Sequence, residues 1–232
     1  MIDATLGVSG PSRSPPDPRT EAARYALLRR LAPSMRHHLV VNLQPIGMIY
    51  EVMERRLRAP QPDLAHVHDS AVKINGFARA ALTSCLDVVT WLAPDESASV
   101  EVGDAVRECI GLLASSLSFR GYAIRNEVTP VPGPVSRCAI RNVLTAALIH
   151  ATDLQAPPAD LVLTTKAETG GLQLTLTLRP TDGSEGFATE AGYRTIEWAD
   201  VQALAGAESV QVERDSHALH MLIPWAAAPE AS

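Results

Sequence analysis

Two adjacent histidines, His37 and His38, are the residues of this sequence with the most distinctive chemistry. Around them, apolar residues recur at steps of three and four, which predicts a helix with one buried face. Leu39 belongs to that apolar face, so His37 is expected on its exposed flank. An imidazole with a pKa of about 6.5 is a nucleophile near neutral pH and can accept a phosphoryl group. Because most exposed histidines on long helices have no such role, the surroundings of His37 must decide.

The other five histidines do not suggest a metal site. His66 and His68 are two residues apart on a predicted helix and face different directions. His217 and His220 are three apart in a predicted strand and lie on opposite faces. His150 interrupts an apolar helix, where a hydrogen-bonded buried imidazole is the more common arrangement than a metal ligand.

Composition limits the classes of protein to consider. The chain has 232 residues, 46% apolar and 20% charged, with a net charge of −6, which is ordinary for a globular protein. The negative charge argues against binding nucleic acid, because phosphate contacts need clustered Lys and Arg. No apolar run approaches the roughly 20 residues of a membrane helix, and the polar, proline-rich start is unlike a signal peptide. We therefore expect a cytoplasmic protein without a membrane segment.

The pattern along the chain predicts an α+β protein in two parts between short tails. Residues 1–19 are rich in Pro, Gly and Ser, which is typical of a disordered tail. Residues 20–94 form two long apolar-periodic stretches separated by a proline turn, which predicts an antiparallel helical hairpin. Residues 95–226 mix helical and alternating patterns and predict an α/β sandwich with a mixed, mostly antiparallel sheet. Residues 227–232 are a second tail.

The predicted hairpin has more apolar surface than two helices can bury between them. Its uncovered residues include Met48 and Val52 on the first helix and Leu82 and Val89 on the second. Pairing of two copies into a four-helix bundle would cover them, so we expect a homodimer. A bundle formed within one chain, with later helices, is the alternative.

The order of these elements resembles the core of two-component histidine kinases, in which a dimeric hairpin bearing the phosphorylated histidine precedes a Bergerat-type ATPase domain. In that family, apolar residues follow the phosphorylated histidine after two, six and nine positions. Leu39, Leu43 and Ile46 stand at those distances from His37. The resemblance therefore implies His37 as the catalytic residue. The acidic neighbour usual in kinases is replaced by His38.

The resemblance weakens where the family binds nucleotide. His150 stands where the family has its metal-binding asparagine. The segment 178–186 is out of step with the Asp-x-Gly-x-Gly loop, and residues 193–198 run into the next helix without a second glycine-rich loop. A triphosphate needs closely approaching backbone amides, Mg²⁺ and its oxygen ligands. We therefore expect a degenerate ATPase-like domain that lacks the ATP loops and binds no cofactor.

A kinase-like core without nucleotide loops is similar to the dimeric histidine phosphotransferases of bacterial phosphorelays. This likeness implies that His37 passes phosphoryl groups between aspartates of response-regulator receiver domains, with Mg²⁺ held by the receiver. A hybrid histidine kinase is a further implied partner. Val41 and Met48 pack either in the dimer or against a receiver. The hairpin register predicts Arg79 opposite Val41 and Thr83 across from His37. The expected receiver-binding residues are Arg36, Val41, Gln44, Met48, Glu51 and Arg79.

Two other functions fit the same sequence. A non-catalytic dimeric adaptor or inhibitor of a kinase or response regulator needs the bundle but not a phosphorylated His37. A divergent ATPase or true kinase with unusual loops would bind nucleotide. Replacement of His37 separates the first from a phosphotransferase, and nucleotide titration tests the second.

Overall fold

The computed structural model describes residues 17–183, 186 and 193–226. The sequence-predicted tails 1–19 and 227–232 lie outside this range except for residues 17–19. Of the helices in the described part, none combines the length and apolar character needed to span a membrane. The helices are α1 Pro18–Leu57, α2 Leu64–Leu92, α3 Val102–Phe119, α4 Arg137–Leu154 and α5 Trp198–Ala207. The strands are β1 Ser99–Val100, β2 Tyr122–Glu127, β3 Val135–Ser136, β4 Ala159–Glu168, β5 Gly171–Pro180, β6 Gln211–Arg214 and β7 Ala218–Pro224.

Helix α1 begins before residue 20, the predicted start of the hairpin. Its 40 residues begin at Pro18, whose fixed φ suits the first helical turn. Thr20 lies inside the first turn, is buried, and its hydroxyl donates to the carbonyl of Ala203 at 3.4 Å. Both internal prolines, Pro33 and Pro45, are accommodated within the helix.

Helix α2 follows after a short turn and lies against α1. Asp63 caps it, because its carboxylate accepts the backbone N–H groups of Ala65 and His66 at 3.0 and 3.2 Å. Along the hairpin, the Asn42 amide donates both to the His38 carbonyl at 3.0 Å and to the Ser84 hydroxyl at 3.2 Å. Ser84 therefore lies level with Asn42, five residues beyond His37 along α1. At this antiparallel register the residue of α2 level with His37 is near position 89, so the expected placement of Thr83 across from His37 is wrong.

The sheet is mixed and mostly antiparallel, as predicted. Its five strands run in the order β2-β4-β5-β7-β6; β2 and β4 are parallel, and all other neighbours are antiparallel. Strands β1 and β3 form a separate two-stranded sheet. Gly171 is the first residue of β5 after the β4–β5 turn, and a Cβ atom there would lie 2.3 Å from the Ile223 carbonyl oxygen, so this close strand contact requires glycine.

Helix α4 is buried on all sides, with 14 of its 18 residues inaccessible. A helix on one face of a sheet is normally exposed on its outer side, so a further layer must cover α4. The first half of α1 supplies part of that layer. Its buried residues share one core with the α/β domain: Ala23, Ala26, Leu27, Leu31 and Met35.

This packing was not predicted. The sequence assigns residues 20–94 to a hairpin separate from the α/β domain. In the structure, the stretch from Thr20 to Met35 is instead covered by α3, α4 and α5 of the same chain. Periodicity shows that a helix buries one face, but it does not show which element covers that face. Only the second half of α1 stays with α2 alone.

Candidate functional site

His37 lies on α1 where the helix leaves the α/β domain. Met35, two residues earlier, is still buried, whereas Arg36 and His37 are exposed. The His38 ring is half-buried, and its centroid lies 6.3 Å from that of His37. The exposed flank predicted for His37 is therefore where the structure places it.

A cleft of about 430 Å³ opens beside His37, between α1 and α3. Ser34, His37 and His38 line it from α1, and Ser115 and Ser116 line it from α3. The serines of α3 were not among the site residues predicted from the sequence. A weak signal was present, because Ser115 and Ser116 are adjacent polar residues in a strongly apolar helix.

A buried ion pair fixes the position of this cleft. Arg30 of α1 donates to both carboxylate oxygens of Asp153 at the end of α4, at 2.7 and 2.6 Å. Both side chains are 8% exposed. Asp153 also accepts the Ile196 backbone N–H at 3.0 Å. This bidentate ion pair holds α1 against the α/β domain about two turns before His37.

Arg120, at the carboxyl end of α3, forms the floor of the cleft. It donates to the hydroxyl of Thr152 at 3.2 Å and to its carbonyl at 3.0 Å, and it lies over the Tyr122 ring at 5.2 Å. Burial lowers the pKa of Arg120, while Tyr122 and Asp153 act in the opposite direction. Arg120 thus joins α3, β2 and α4 directly beneath the site.

A second cationic contact fixes the end of α2. Arg141 of α4 is buried, donates to the Thr90 carbonyl and hydroxyl at 3.3 and 3.0 Å, and lies 4.9 Å from the Trp91 ring. Its charge is balanced by an ion pair with Glu108 of α3. The N-terminal half of α1 and the C-terminal end of α2 are therefore both attached to the α/β domain.

The predicted receiver-binding residues of α1 share one exposed face. Val41 is 50% and Met48 63% exposed, and Gln44 and Glu51 are exposed as well. At 100° per residue, these four lie within about 40° of His37 around the helix axis. We call them the receiver face. The structure thus groups Val41, Gln44, Met48 and Glu51 with His37.

Arg36 and Arg79 do not lie on the receiver face. Arg36 is exposed and borders the cleft, about 100° from His37 around α1. Arg79 is exposed too, but it lies about 140° around α2 from Ser84, the residue that contacts α1. The structure therefore does not bring Arg79 onto the surface that includes His37.

His150 occupies an enclosed position on α4 and is 2% exposed. Its Nδ1 donates to the Ile196 carbonyl at 2.7 Å, and Nε2 lies 3.5 Å from Arg214. Trp198 of α5 packs on the ring, with centroids 5.8 Å apart. The imidazole is hydrogen-bonded and covered, as expected for a structural histidine.

The structure describes part of segment 178–198, which is expected to lack the nucleotide loops. Thr181 donates its backbone N–H to the Pro158 carbonyl at 3.1 Å. Gly186 lies so close to the α3–β2 turn that a Cβ atom there would be 2.0 Å from the Arg120 carbonyl carbon. Residues 184–185 and 187–192 lie outside the described range, so the absence of nucleotide loops stays a prediction. Within the described residues, no three His, Cys, Asp or Glu side chains are grouped to hold a metal ion.

Comparison with known proteins gives similarities of structure at low identity. No protein-family model matches the sequence, and no curated protein matches it significantly. The chain is similar to the Acinetobacter baumannii histidine kinase AdeS (13% identity, 78% of this chain and 97% of that chain, TM-score 0.43). It is also similar to a histidine kinase from Burkholderia phymatum STM815 (18%, 91% and 100%, TM-score 0.43) and to a bacterial phosphotransferase (12%, 85% and 95%, TM-score 0.41). No residue of the site is assigned from these similarities.

Proposed function

We propose that this protein is a histidine phosphotransferase that relays phosphoryl groups between response-regulator aspartates through His37, without binding ATP. The observation that carries the proposal is the position of His37. It is exposed on α1 at the mouth of a cleft and directly above an exposed receiver face. The spacing of Leu39, Leu43 and Ile46 after His37 supports the same role.

The transfer uses the imidazole as a nucleophile. A ring nitrogen of His37 attacks the phosphorus of an aspartyl phosphate on the receiver. A P–N bond forms, the P–O bond to the carboxyl group breaks, and the aspartate leaves as a carboxylate with the electron pair. The phosphoimidazole loses its other ring proton to solvent. A second receiver aspartate reverses the step, with Mg²⁺ supplied by the receiver.

The surroundings of His150 support the absence of ATP-driven phosphorylation. In the histidine kinases that the sequence resembles, an asparagine at this position binds the metal that accompanies ATP. Here His150 is 2% exposed, and Ile196, Trp198 and Arg214 surround it. A Mg²⁺ ion with its remaining waters needs space and oxygen ligands at this point, and the imidazole is already hydrogen-bonded.

We therefore expect no measurable heat when Mg²⁺–ATP is titrated into the protein by calorimetry, up to millimolar nucleotide. His150→Asn restores the amide of the resembled family but not the space around it, so the variant is expected to behave in the same way. Binding of ATP by the native protein at micromolar concentration would contradict this part of the proposal and favour a divergent kinase.

The second half of α1 has exposed apolar residues on two different sides of the helix. Leu43, Tyr50 and Leu57 are exposed and lie about 120–160° from His37 around α1. They adjoin the side of α1 that contacts α2, where a third and fourth helix complete a bundle. We call them the dimer face. Val41 and Met48 are on the opposite side, which favours receiver binding over dimerisation for these two residues.

Charge substitutions on the two faces are expected to have different effects. Tyr50→Glu puts a carboxylate into the proposed dimer core and is expected to weaken dimerisation by at least about 100-fold, because burial of an unpaired charge is costly. Met48→Glu is expected to leave the dimer intact and to slow phosphoryl transfer from a receiver at least about 10-fold. Sedimentation equilibrium and a transfer assay measure both. A monomeric Met48→Glu variant, or a dimeric Tyr50→Glu variant, would reverse the assignment of the faces.

The direct test of the proposed function is transfer from radiolabelled phospho-receivers. Receiver domains are phosphorylated on aspartate, separated from the donor and mixed with the protein. Label that moves to the chain and is stable to alkali but labile to acid has the chemistry of a phosphoimidazole. If no receiver of a complete panel from the source genome gives up its label, the phosphotransferase proposal fails.

A further inference from the structure

The cleft beside His37 has two walls of different origin. One wall is α1, with Ser34 and His37, and the other is α3, with Ser115 and Ser116. Both serines are exposed on α3. Because His37 lies at the mouth of this cleft, a group that reaches its imidazole also comes close to α3. The site of transfer is therefore formed by the α/β domain as well as by the hairpin.

The cleft is positively charged. Arg30, Arg36 and Arg120 border it, and no Asp or Glu among the described residues lines it. Beneath it, Asp153 pairs with Arg30 and lies 3.9 Å from Arg120, so it balances one of the three charges. The remaining field attracts an anionic group toward His37.

We infer that the exposed face of α3 at Ser115 and Ser116 is a second docking wall for the phosphorylated receiver, and that it accepts the acidic loop bearing the phosphoaspartate. This inference rests on the proposed function and adds a contact surface outside the hairpin. An acyl phosphate carries a charge of about −1.5 to −2 near pH 7, which complements the arginine-lined cleft. A second receiver element binds the receiver face of α1.

The dimensions agree with a loop as the occupant. A volume of about 430 Å³ admits a few side chains of a loop but not a helix or a domain. Since Arg30 and Asp153 fix α1 against α4, the two walls cannot separate without breaking a buried ion pair. The cleft therefore selects receivers by the charge and shape of the loop that carries the phosphoaspartate.

Charge insertion on α3 tests this inference with a matched control. Ser116→Glu adds a negative charge to the cleft, and Ser118→Glu adds the same charge to the same helix about 160° away. Ser118 is exposed and does not line the cleft. The probe is the phosphorylated receiver domain that transfers fastest to the native protein. Ser116→Glu is expected to slow transfer at least about 10-fold and to weaken its dependence on salt, because the added negative charge reduces the attraction between the cleft and the anionic loop. Ser118→Glu is expected to stay within about twofold of the native rate.

Two further measurements separate the possible failures. Phosphoramidate is a small anionic donor that needs no docking, so Ser116→Glu is expected to slow its reaction with His37 less than it slows transfer from the receiver, which shows that the imidazole is intact. Ser116→Lys adds a positive charge at the same place and is expected to transfer from the receiver faster than Ser116→Glu does. If the native protein transfers but both glutamate variants do so equally well, the α3 wall is wrong and the proposed function stands. If the native protein accepts label from no receiver, the proposed function itself is wrong.

Discussion

Replacement of His37 by glutamine is expected to abolish acceptance of phosphoryl groups from a receiver, with a loss of at least about 1,000-fold in rate. Glutamine approximates the size and polarity of imidazole but has no nucleophilic nitrogen. Because His37 is exposed, the free energy of unfolding is expected to change by less than about 0.5 kcal/mol. Rapid-quench transfer from a radiolabelled receiver measures the rate, and thermal unfolding checks the fold.

His38→Gln is the control for this experiment. His38 is half-buried beside His37, and the bond that it supplies to the hairpin comes from its backbone carbonyl, which accepts from Asn42. A glutamine there keeps that bond, so transfer is expected to continue. If His38→Gln loses transfer and His37→Gln keeps it, the acceptor histidine is misassigned. If neither variant loses its effect on the partner, a non-catalytic adaptor is the better explanation.

The local structure of the hairpin follows from its sequence. Steps of three and four define both helices, and the position of Leu39 in the apolar face places His37 on the flank. Asp63 caps the start of α2, because a carboxylate at this position accepts the free N–H groups of the first turn. These features depend on neighbours within one or two turns, and such interactions are visible in a single sequence.

The packing of α1 against the α/β domain does not follow in this way. Leu27 and Leu31 continue the same apolar repeat as Leu39, yet they lie in the core that α1 shares with the α/β domain. Arg30 and Asp153 are 123 residues apart, and nothing local marks them as partners. The second wall of the cleft was missed for the same reason. Ser115 and Ser116 are ordinary polar residues until the fold brings α3 beside His37.

Loss of the Arg30–Asp153 ion pair is expected to be among the most destabilising single changes in the protein. Both side chains are 8% exposed, so Arg30→Met leaves a carboxylate buried without its cation. We expect a cost of about 3–5 kcal/mol in the free energy of unfolding, which corresponds to a fall of roughly 10 °C in melting temperature for a chain of this size. Calorimetry or denaturant unfolding measures it. Transfer to His37 is expected to slow as well, because the cleft loses its fixed width.

Two controls make this expectation specific. Arg58→Met removes an exposed ion pair with Glu54, whose side chains are 77% and 43% exposed, and is expected to cost less than about 1 kcal/mol. The double variant Arg30→Met with Asp153→Leu removes both charges and is expected to recover part of the loss. Recovery is incomplete because the Ile196 N–H, which donates to Asp153 at 3.0 Å, then lacks an acceptor at a cost of about 1–3 kcal/mol. If Arg30→Met is no more destabilising than Arg58→Met, α1 is not held to the α/β domain by this pair. The fixed cleft beside His37 then loses its structural basis.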